Sequence, residues 1–477
     1  MSHIPLVIDL DGTLVFTDTL YESALRFLKK NPLGLFTLLF KLLQGKAALK
    51  AFLAQHATIS AEHLPYNQAL IEYIQQQKAL GQRVILCTAS NMRIAQDIAS
   101  YLNVFDEVIA SDANTNVIGA TKAHILNQKL GKENYIYAGN SKDDIPVWQN
   151  AKHAILVNTP KDVAQKAEQH GNVILHFKRQ SQQIRTWSKA LRLHQWLKNI
   201  LLFIPLIAAH HLKFIDAWQH LLLAFFAFGC CASSVYITND LLDLENDRQH
   251  PKKYKRPFAS GDLPITHGLL ASALLLLFGF KIALLVNASF LKILLAYYGL
   301  TSLYSFQLKR IALMDCLLLA MLYTIRIIAG GVATQTPITF WLLASAFFLF
   351  YSLALIKRFA ELQIMAQKGQ QHTQGRDYHL DDKSLIHSLG ISSGLGSVII
   401  FALYLNSPNV FTLYKQPEIA WASIPVLLYW ISWMWHQTHR GHMDDDPLIF
   451  AIKHKTSLFT GLVFTGLLAL ATTGLPW

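Results

Sequence analysis

The sequence has few charged residues and few cysteines for its length. Only 15% of its 477 residues are charged, whereas 52% are hydrophobic, and this balance excludes an ordinary soluble protein. Its cysteines, Cys87, Cys230, Cys231 and Cys316, are scattered and form no CxxC pair, so we expect neither a disulfide framework nor structural zinc. The segment MSHIPLVIDLDGTL lacks a basic stretch followed by a long apolar one, and we expect no cleaved signal peptide.

Residues 1–178 have the pattern of an α/β domain. Short apolar segments, PLVIDL, RVILCTA, YIYAGN, AILVN and NVILHF, alternate with polar stretches of helical composition. Such alternation predicts a Rossmann-type parallel sheet with crossover helices. Residues 14–80 are expected to form a helical cap, and residues 179–195 a linker or an interfacial helix.

From residue 196 to residue 477 the chain has the composition of a polytopic membrane domain. Nine apolar segments, several near the roughly 20 residues needed to cross a bilayer, predict an all-α architecture of about nine transmembrane helices. They are centred on residues 196–212, 217–239, 266–287, 289–306, 312–333, 338–357, 385–406, 419–437 and 456–475.

The basic residues indicate how these segments are oriented. With the amino-terminal side in the cytoplasm, the inner loops hold 15 Lys or Arg, whereas the outer loops hold only Lys213, Lys292 and Lys415. The positive-inside rule therefore predicts an inner-membrane protein with the α/β domain in the cytoplasm and the carboxyl terminus outside. This topology accounts for most of the net charge of +12, so we expect no nucleic-acid partner.

An acidic cluster follows the second apolar segment, in the sequence NDLLDLENDRQHPKKYKRP. Asp240, Asp243 and Asp247 are spaced i, i+3 and i+7, which predicts three carboxylates on one helix face, with Asn239 beside them. Oxygen ligands at a cytoplasmic rim suit Mg²⁺ bound together with a diphosphate, and the basic residues that follow suit further phosphate oxygens. The alternative is a solvated loop that only sets the topology.

The stretch NDLLDLENDRQHPKKYKRPFASG resembles the first Asp-rich motif, NDxxDxxxD, of the UbiA superfamily of intramembrane prenyltransferases. The resemblance implies nine helices around a central cavity and Mg²⁺-assisted cleavage of a diphosphate, with Asp240, Asp243 and Asp247 as catalytic metal ligands. The second motif is reduced to Asp315, since Leu319 stands where the superfamily has an aspartate. One metal ion is therefore favoured over two.

Other segments narrow the branch of this superfamily. LRLHQWLKNILLFIPLIA, HPKKYKRP, YSFQLKRIALMD and IKRFAEL resemble the branch that includes decaprenyl-phosphate phosphoribosyltransferase. That branch implies 5-phosphoribosyl 1-diphosphate as donor and a polyprenyl phosphate as acceptor. The side chains predicted to bind substrate in this part are Lys198, Asn239, Lys253, Arg256, Tyr304, Lys309, Arg326, Lys357 and Arg358; for the last two, simple anchoring at the membrane edge is the alternative.

Two segments are open to two interpretations each. The loop 357–384, with Glu361, Arg376 and Tyr378, is predicted to be a lid over the cavity, with a disordered linker as the alternative. The stretch NPLGLFTLLFKLL is more apolar than a soluble helix requires, and it predicts either the buried core of the cap or a membrane contact.

The stretch VIDLDGT places Asp9 and Asp11 at the end of an apolar strand, where open α/β sheets bind ligands. One carboxylate there can attack a phosphoryl group, and a second can protonate the leaving oxygen. The stretch resembles the DxDGT motif of the haloacid dehalogenase superfamily, and RVILCT, GATKAHIL and AGNSKDDIP resemble its later motifs in order.

This second resemblance implies a role for each matching residue. Asp9 would be the nucleophile and a metal ligand, Asp11 the acid and base, Thr88 and Lys122 the phosphoryl-binding groups, and Asp144 a ligand of Mg²⁺. Asn140 departs from the family because an acidic residue is expected there, which leaves Asp143 with Asp144 to hold the metal.

The leading hypothesis is a two-activity membrane enzyme. The membrane part would transfer phosphoribose to a polyprenyl phosphate, and the cytoplasmic part would remove the ribose 5-phosphate. One alternative is a prenyltransferase that moves a prenyl chain from its diphosphate to an aromatic or other lipid-soluble acceptor. Another is that the phosphatase-like domain is regulatory or inactive, as Asn140 allows. The sequence does not fix the oligomeric state.

Overall fold

The computed structural model describes residues 4–112, 115–170, 172–179, 183–367, 369, 376–443 and 446–474. The chain forms two compact units. The first contains Met1–Leu191 together with the later segment Tyr236–Ser272, and the second contains Arg192–Val235 and Ala273–Trp477. The acidic cluster therefore belongs to the same compact unit as the α/β domain.

The first unit is built on a parallel sheet of six strands in the order β3-β2-β1-β4-β5-β6. The predicted parallel sheet is confirmed, and one strand, β3, was not among the predicted segments. The strands are β1 Leu6–Ile8, β2 Val84–Asn91, β3 Glu107–Ser111, β4 Ile136–Gly139, β5 His153–Val157 and β6 Val173–Phe177.

The central strand β1 is fully buried and alternates its side chains between two cores. Leu6 and Ile8 pack into a core with α4 and α5, whereas Val7 packs on the other face with α6 and the aromatic ring of Trp148. The helices of this unit are α1 Thr19–Lys30, α2 Leu35–Leu43, α3 Lys46–His56, α4 Gln68–Ala79, α5 Met92–Leu102, α6 Gly119–Leu130, α7 Ile145–Trp148, α8 Lys161–Glu168 and α9 Gln183–Leu191. Helices α1 to α3 lie within the predicted cap of residues 14–80, whereas α4, which was also predicted to belong to it, packs against the sheet. Helix α9 falls in the predicted linker, of which residues 180–182 lie outside the described residues.

The rest of the chain is helical. A 3₁₀ segment Leu193–Phe203 precedes the helices α10 Ile204–Ala208, α11 Ile215–Leu242, α12 Leu244–Gln249, α13 Ile265–Val286, α14 Ala288–Phe306, α15 Met314–Thr334, α16 Phe340–Gln367, α17 Lys383–Leu405, α18 Pro408–Leu413, α19 Pro417–Trp421, α20 Ser423–His439, α21 Pro447–Lys453 and α22 Lys455–Thr473.

Within the described residues, six helical segments are long and apolar enough to cross a membrane. They correspond to α11, α13, α15, α16, α17 with the turn before it, and α22. The count of nine is not confirmed. The first predicted span is divided between the 3₁₀ segment and the short α10, α14 carries many Tyr, Ser and Thr, and α20 has only 17 residues.

Candidate functional site

The DxDGT segment begins where β1 ends, at the carboxyl edge of the sheet. The amide of Asp9 still donates to Ala138 O of the neighbouring strand β4, at 3.0 Å. Gly12 has a φ of +75°, and a Cβ atom there would lie 2.1 Å from Asn140 Nδ2. The turn therefore requires glycine both for its backbone conformation and for the close approach of Asn140.

Asp9 is buried and bonded to a lysine. Its Oδ1 accepts a hydrogen bond from Lys122 Nζ at 2.7 Å, and its Oδ2 accepts one from Thr13 Oγ1 at 3.3 Å. Burial raises the pKa of Asp9 to about 7, against the opposing effect of the Lys122 charge. The Asp9 carboxylate is thus held in a defined orientation by Lys122 and Thr13, as the prediction of a nucleophile requires.

Lys122 links Asp9 to a second carboxylate. Its Nζ donates to Tyr137 Oη at 2.8 Å and lies 3.8 Å from Asp144 Oδ1, which in turn accepts from Tyr137 Oη at 2.6 Å. Burial would lower the pKa of Lys122, but the charges of Asp9 and Asp144 outweigh it, so the pKa is raised. Lys122 therefore stays protonated, as binding of a phosphoryl group requires.

Asp11 is positioned by the first residue of α1 and by the end of β2. Its Oδ1 accepts from the Thr19 amide at 2.8 Å, and its Oδ2 accepts from Ser90 Oγ at 2.5 Å. Burial, followed by the charge of Asp18, raises the pKa of Asp11 to about 6. A pKa near neutrality suits a group that donates a proton to a leaving oxygen and then takes one from water.

The remaining predicted residues of this site differ in their surroundings. Thr88 is fully buried on β2, and its Oγ1 accepts from the Ser90 amide at 3.0 Å. Asp144 is buried, and its Oδ2 accepts from the amides of Asn140 and Ser141, both at 2.9 Å. Asp143 is exposed in the same turn, so its role as a metal ligand stays a prediction.

A small pocket beside Asp11 is lined by residues of both the cap and the sheet, among them Thr19, Ser90 and Lys50. Lys50 comes from α3 of the cap, and its Nζ donates to Ala89 O at 2.5 Å and to Asn116 Oδ1 at 2.9 Å. Burial lowers the pKa of Lys50, whereas the charges of Asp11 and Asp18 oppose this effect. The cap thus adds a second lysine close to the carboxylates.

Two carboxylates of the Asp-rich segment converge on one nitrogen atom. Arg256 Nη1 lies 3.0 Å from Asp240 Oδ1 and 2.7 Å from Asp247 Oδ2. Both aspartates are buried, with 2% and 3% of their surface exposed. Arg256 was predicted to bind phosphate, and in this structure it binds these carboxylates.

Asp243 differs from the prediction of a continuous helix face. Helix α11 ends at Leu242, and Asp243 is the residue that precedes α12. Its Oδ1 accepts from Lys29 Nζ of α1 at 2.6 Å. The break turns this carboxylate toward the cap, while Asp240 and Asp247 face Arg256.

Within the first unit, helix α1 contacts both the DxDGT site at the end of β1 and the Asp-rich segment. Its first residue, Thr19, binds Asp11, and its last turn binds Asp243 through Lys29. Between them, Glu22 accepts two hydrogen bonds from Arg248, at 2.6 and 3.0 Å, in a buried bidentate ion pair. Removal of one partner from such a pair costs about 3–5 kcal/mol. The phosphatase-like site and the Asp-rich segment are therefore joined by one rigid helix.

The donors of both sites are suited to a divalent cation, although no group of three or more His, Cys, Asp or Glu among the described residues is arranged to hold a metal. Oxygen atoms of Asp240 and Asp247 both lie next to the positively charged Nη1 of Arg256. The two carboxylates therefore face a common position that a cationic group occupies. Two carboxylates with substrate phosphates are a common donor set for Mg²⁺. At the end of β1, the buried carboxylate of Asp9 offers an oxygen donor of the same kind, and its role as a metal ligand stays a prediction.

In the second unit, Asp315 is enclosed by cationic and hydroxyl groups. Arg358 Nε lies 2.7 Å from its Oδ2, and Tyr378 Oη donates to its Oδ1 at 2.6 Å. Glu361 pairs with Arg358 and, at 3.3 Å, with Arg376. All three residues of the predicted lid thus belong to the network around Asp315, and the part of the lid at 370–375 lies outside the described residues.

A second charged cluster of this unit contains Lys198. Its Nζ lies 2.5 Å from Asp446 Oδ2, and Lys357 is close enough to both to interact electrostatically. Tyr323 Oη donates to the same oxygen of Asp446 at 3.4 Å. Arg326, in contrast, donates to Tyr297 Oη at 2.8 Å and to Asn199 Oδ1 at 3.2 Å.

The other predicted substrate-binding residues are less closely defined. Asn239 lies in the last turn of α11, Lys253 is exposed in the short 3₁₀ turn Lys253–Lys255, Tyr304 lies beside Arg376, and Lys309 lies in the 3₁₀ turn Leu308–Arg310. Their roles in substrate binding stay predictions.

Several site residues were missed from the sequence. Thr13, Thr19, Ser90 and Tyr137 bind the aspartates or the lysine of the sheet site, and Lys29 binds Asp243. Thr13 belongs to the DxDGT motif itself and was open to prediction. Ser90 and Lys29 lie 79 and 214 residues from the aspartates they bind. Thr19 and Tyr137 lie within eight residues of Asp11 and Asp144, respectively, but outside the motif positions used for prediction.

An α/β unit with a DxDGT nucleophile site, followed by a bundle of apolar helices with an Asp-rich segment, defines a membrane transferase with a fused phosphatase-like domain. The chain belongs to the UbiA prenyltransferase family, whose model matches residues 200–463. Residues 6–149 match the haloacid dehalogenase-like hydrolase family. The protein is therefore an integral membrane enzyme of the UbiA type with a hydrolase domain.

Three relatives extend these matches. A protein of Sinorhizobium fredii, called uncharacterized protein y4nM, is 34% identical over 98% of this chain and 91% of its own length. The nodulation protein NoeC of Azorhizobium caulinodans is 34% identical over 58% of this chain and 92% of its own. Decaprenyl-phosphate phosphoribosyltransferase of Mycolicibacterium smegmatis is 27% identical over 59% of this chain and 91% of its own.

Proposed function

We propose that the membrane part transfers 5-phosphoribose from 5-phosphoribosyl 1-diphosphate to a polyprenyl phosphate, and that the hydrolase domain then removes the 5-phosphate. The convergence of Asp240 and Asp247 on one cationic position carries the first half of this proposal. The similarity to decaprenyl-phosphate phosphoribosyltransferase supports this donor and this acceptor.

The transfer step is a substitution at the anomeric carbon of the ribose. An oxygen of the polyprenyl phosphate forms a bond to that carbon, and the bond to the diphosphate breaks with its electron pair on the leaving oxygen. Asp240, Asp243 and Asp247 would hold Mg²⁺, and this ion would supply positive charge for the leaving diphosphate. The acceptor is already an anion, so this step needs no strong base.

The buried cations of the second unit fit the remaining charges of these substrates. Lys198 and Arg358 are buried and pair with Asp446 and Asp315. Lys357 is half-buried and interacts electrostatically with Asp446. In a medium of low dielectric constant, such preorganised charges stabilise a phosphate more strongly than they do in water. We assign them to the phosphate groups of donor and acceptor.

The geometry at the end of β1 supports the proposed hydrolase step. A carboxylate oxygen of Asp9 attacks the 5-phosphate and forms an aspartyl phosphate, while Asp11 protonates the ribose oxygen that leaves. Asp11 then takes a proton from the water that cleaves the aspartyl phosphate. Lys122 holds the phosphoryl oxygens. Asp144 and Asp143 would hold Mg²⁺, which would supply positive charge to offset that of the phosphate.

The orientation predicted from the basic loops would put both steps on one side of the membrane. With the hydrolase domain in the cytoplasm and the carboxyl terminus outside, the basic loops lie on the inner side of the inner membrane, as the positive-inside rule requires. The ribose 5-phosphate of the lipid product would then face the hydrolase domain.

The experiment that tests this proposal uses the purified full-length protein in lipid nanodiscs with a polyprenyl phosphate and Mg²⁺. One donor is phosphoribosyl diphosphate that carries separate labels in the ribose carbons and in the 5-phosphate; the other is a labelled prenyl diphosphate. We expect the ribose label to enter the lipid and the 5-phosphate label to be released as inorganic phosphate.

Each label reports one half of the proposal. Entry of both labels into the lipid without later phosphate release would remove the hydrolase step and favour a regulatory domain. Transfer from the prenyl diphosphate instead would overturn the proposed donor and favour a prenyltransferase.

A further inference from the structure

The turn Pro32–Gly34 and helix α2 expose large apolar side chains. Leu38 is the residue of α2 that packs into the cap, beside Phe27 and Leu53. The other large apolar residues point outward, and two of them, Leu33 and Leu43, are 84% and 87% exposed. The exposed set is Leu33, Leu35, Phe36, Leu39, Phe40, Leu42 and Leu43. The interpretation of this stretch as buried cap core is therefore wrong.

The stretch of sequence that forms this surface contains charged residues of only one sign. Between residues 29 and 46 the sequence has four lysines, Lys29, Lys30, Lys41 and Lys46, and no aspartate or glutamate. An apolar helix face bordered by lysines is typical of helices that lie in the headgroup region of a membrane. The lysine stems extend along apolar surface while their charges reach anionic phosphates.

The contacts of α1 place this surface near the end of a membrane span. Lys29 binds Asp243 at 2.6 Å, and Arg26 lies 3.0 Å from Glu245. Asp243 directly follows α11, whose apolar helix ends at Leu242. Leu33 is four positions after Lys29, which corresponds to at most about 14 Å of extended chain. The exposed surface therefore begins close to the level at which this span leaves the hydrocarbon.

We infer that α2 lies in the headgroup region on the membrane surface, with Leu35, Phe36, Leu39 and Phe40 inserted among the lipid chains. Its nine residues form a helix about 13 Å long, too short to cross a bilayer but suited to lie along its surface. The partner is an anionic lipid surface. This contact does not depend on the proposed substrates, and it anchors the hydrolase domain at the membrane in addition to the spans.

A site-specific fluorescent probe tests the contact in the full-length chain. Leu39→Cys carries the probe on α2, and Gln55→Cys on the neighbouring α3 is the matched control, because Gln55 is exposed in the same cap. Both variants, labelled with an environment-sensitive dye, are placed in nanodiscs of phosphatidylcholine and phosphatidylglycerol. Labelled wild-type chain, in which only the native cysteines can react, gives the background.

Two quenchers separate the outcomes. We expect lipids that carry a nitroxide near the headgroup to quench most of the fluorescence of the Leu39 probe, and iodide in the water to quench little of it. For the Gln55 probe we expect iodide to quench and the nitroxide lipids to have little effect. Quenching of both probes by iodide alone would overturn the inference. Protection of the Leu39 probe from both quenchers would overturn it as well, since the face would then be covered by protein, such as a second copy of the chain.

Discussion

Asp9 and Lys122 are the residue pair on which the proposed hydrolysis depends. Lys122 is almost fully buried, and its amino group has both Asp9 and Asp144 as carboxylate neighbours. Replacement of Asp9 by asparagine keeps the size of the side chain but removes the nucleophilic oxygen. The charge of Lys122 remains balanced by Asp144, so we expect the domain to stay folded.

We predict that Asp9→Asn abolishes release of the 5-phosphate and leaves phosphoribosyl transfer unchanged. Loss of a nucleophile lowers turnover by roughly three orders of magnitude or more. The measurement is phosphate release and label transfer by the same preparation in nanodiscs. Asp97→Asn, an exposed aspartate on α5, is the control and should change neither activity. Hydrolysis that survives in Asp9→Asn would show that the nucleophile is misassigned.

The carboxylate of Asp243 has two candidate roles, binding of metal during transfer and binding of Lys29 in the cap. Asp243 is proposed to bind metal during transfer, but in this structure it accepts a hydrogen bond from Lys29. We predict that Asp243→Asn lowers transfer by at least about 10–100-fold, the range found when metal-ligand shells are disturbed. Lys29→Met should keep full transfer and need less Mg²⁺ for half-maximal rate, because the competing ammonium group is gone.

If Asp243 binds metal, Asp243→Asn and Lys29→Met must differ in their transfer rates. Transfer rates are measured over a series of Mg²⁺ concentrations, with folding checked by size-exclusion chromatography in detergent. Equal losses in Asp243→Asn and Lys29→Met would mean that Asp243 serves to hold the cap and that Asp240 and Asp247 bind the metal without it.

Motif residues were the part of the site that the sequence could predict. Asp9, Asp11 and Lys122 lie together because their motifs end neighbouring strands or open the helix beside them. Ser90 and Tyr137 could not be predicted, since a serine or tyrosine on a strand has the same local pattern whether or not it faces a carboxylate. The pairing of Lys29 with Asp243 spans 214 residues of sequence, and nothing local to either residue indicates it.

At the scale of single elements, the apolar runs were good predictors of strands and weaker predictors of spans. Five of the six strands coincide with predicted segments, whereas β3, with the sequence EVIAS, is too short and too polar at its start to be recognised. The acidic cluster was predicted on one helix, but the chain breaks at Asp243, whose side chain pairs with α1. A tertiary ion pair decides this break, and local helical spacing contains no information on it.

Helix α2 gives the element-scale prediction. Replacement of Leu35, Phe36, Leu39 and Phe40 by serine removes the side chains inferred to enter the membrane and leaves Leu38, which packs in the cap. We expect slower removal of phosphate from the ribosylated lipid and an unchanged rate on a small soluble phosphate ester, because only the lipid substrate has to be reached at the membrane surface.

Exposed apolar residues elsewhere provide the control for this variant. Leu80 and Ile174, which are exposed away from the cap helices, are replaced by serine and should affect neither substrate. Equal loss on both substrates in the α2 variant would mean that the face supports the folded cap. Unchanged rates on both would remove α2 from lipid recognition.

At the scale of the whole molecule, the division into a soluble α/β part and a helical membrane part followed from composition alone. The assignment of Tyr236–Ser272 to the compact unit of the α/β domain did not. It depends on contacts such as the buried pair of Glu22 with Arg248 and the pair of Arg179 with Asp262, at 2.6 Å. The two proposed activities would therefore share a structural segment as well as a membrane.

A shared chain matters only if the lipid passes from one activity to the other faster than by free collision. A tethered pair of sites has a high effective concentration that does not fall when the protein is diluted. Asp243→Asn, which keeps the hydrolase, and Asp9→Asn, which keeps the transferase, allow the two activities to be placed on separate chains. Wild-type chain at the same total concentration is the reference with both activities on one chain.

We predict that wild-type chain releases the 5-phosphate label equally well per molecule at every ratio of protein to lipid in vesicles, whereas the mixture of the two variants slows as lipid dilutes it. With one chain per nanodisc, the mixture should stop at the ribosylated 5-phosphate lipid, because a polyprenyl lipid does not leave its disc. A mixture as fast as wild type at all dilutions in vesicles would show that the tether has no kinetic effect. Full phosphate release by the mixture in separate discs would show that the hydrolase does not act on a membrane-bound lipid.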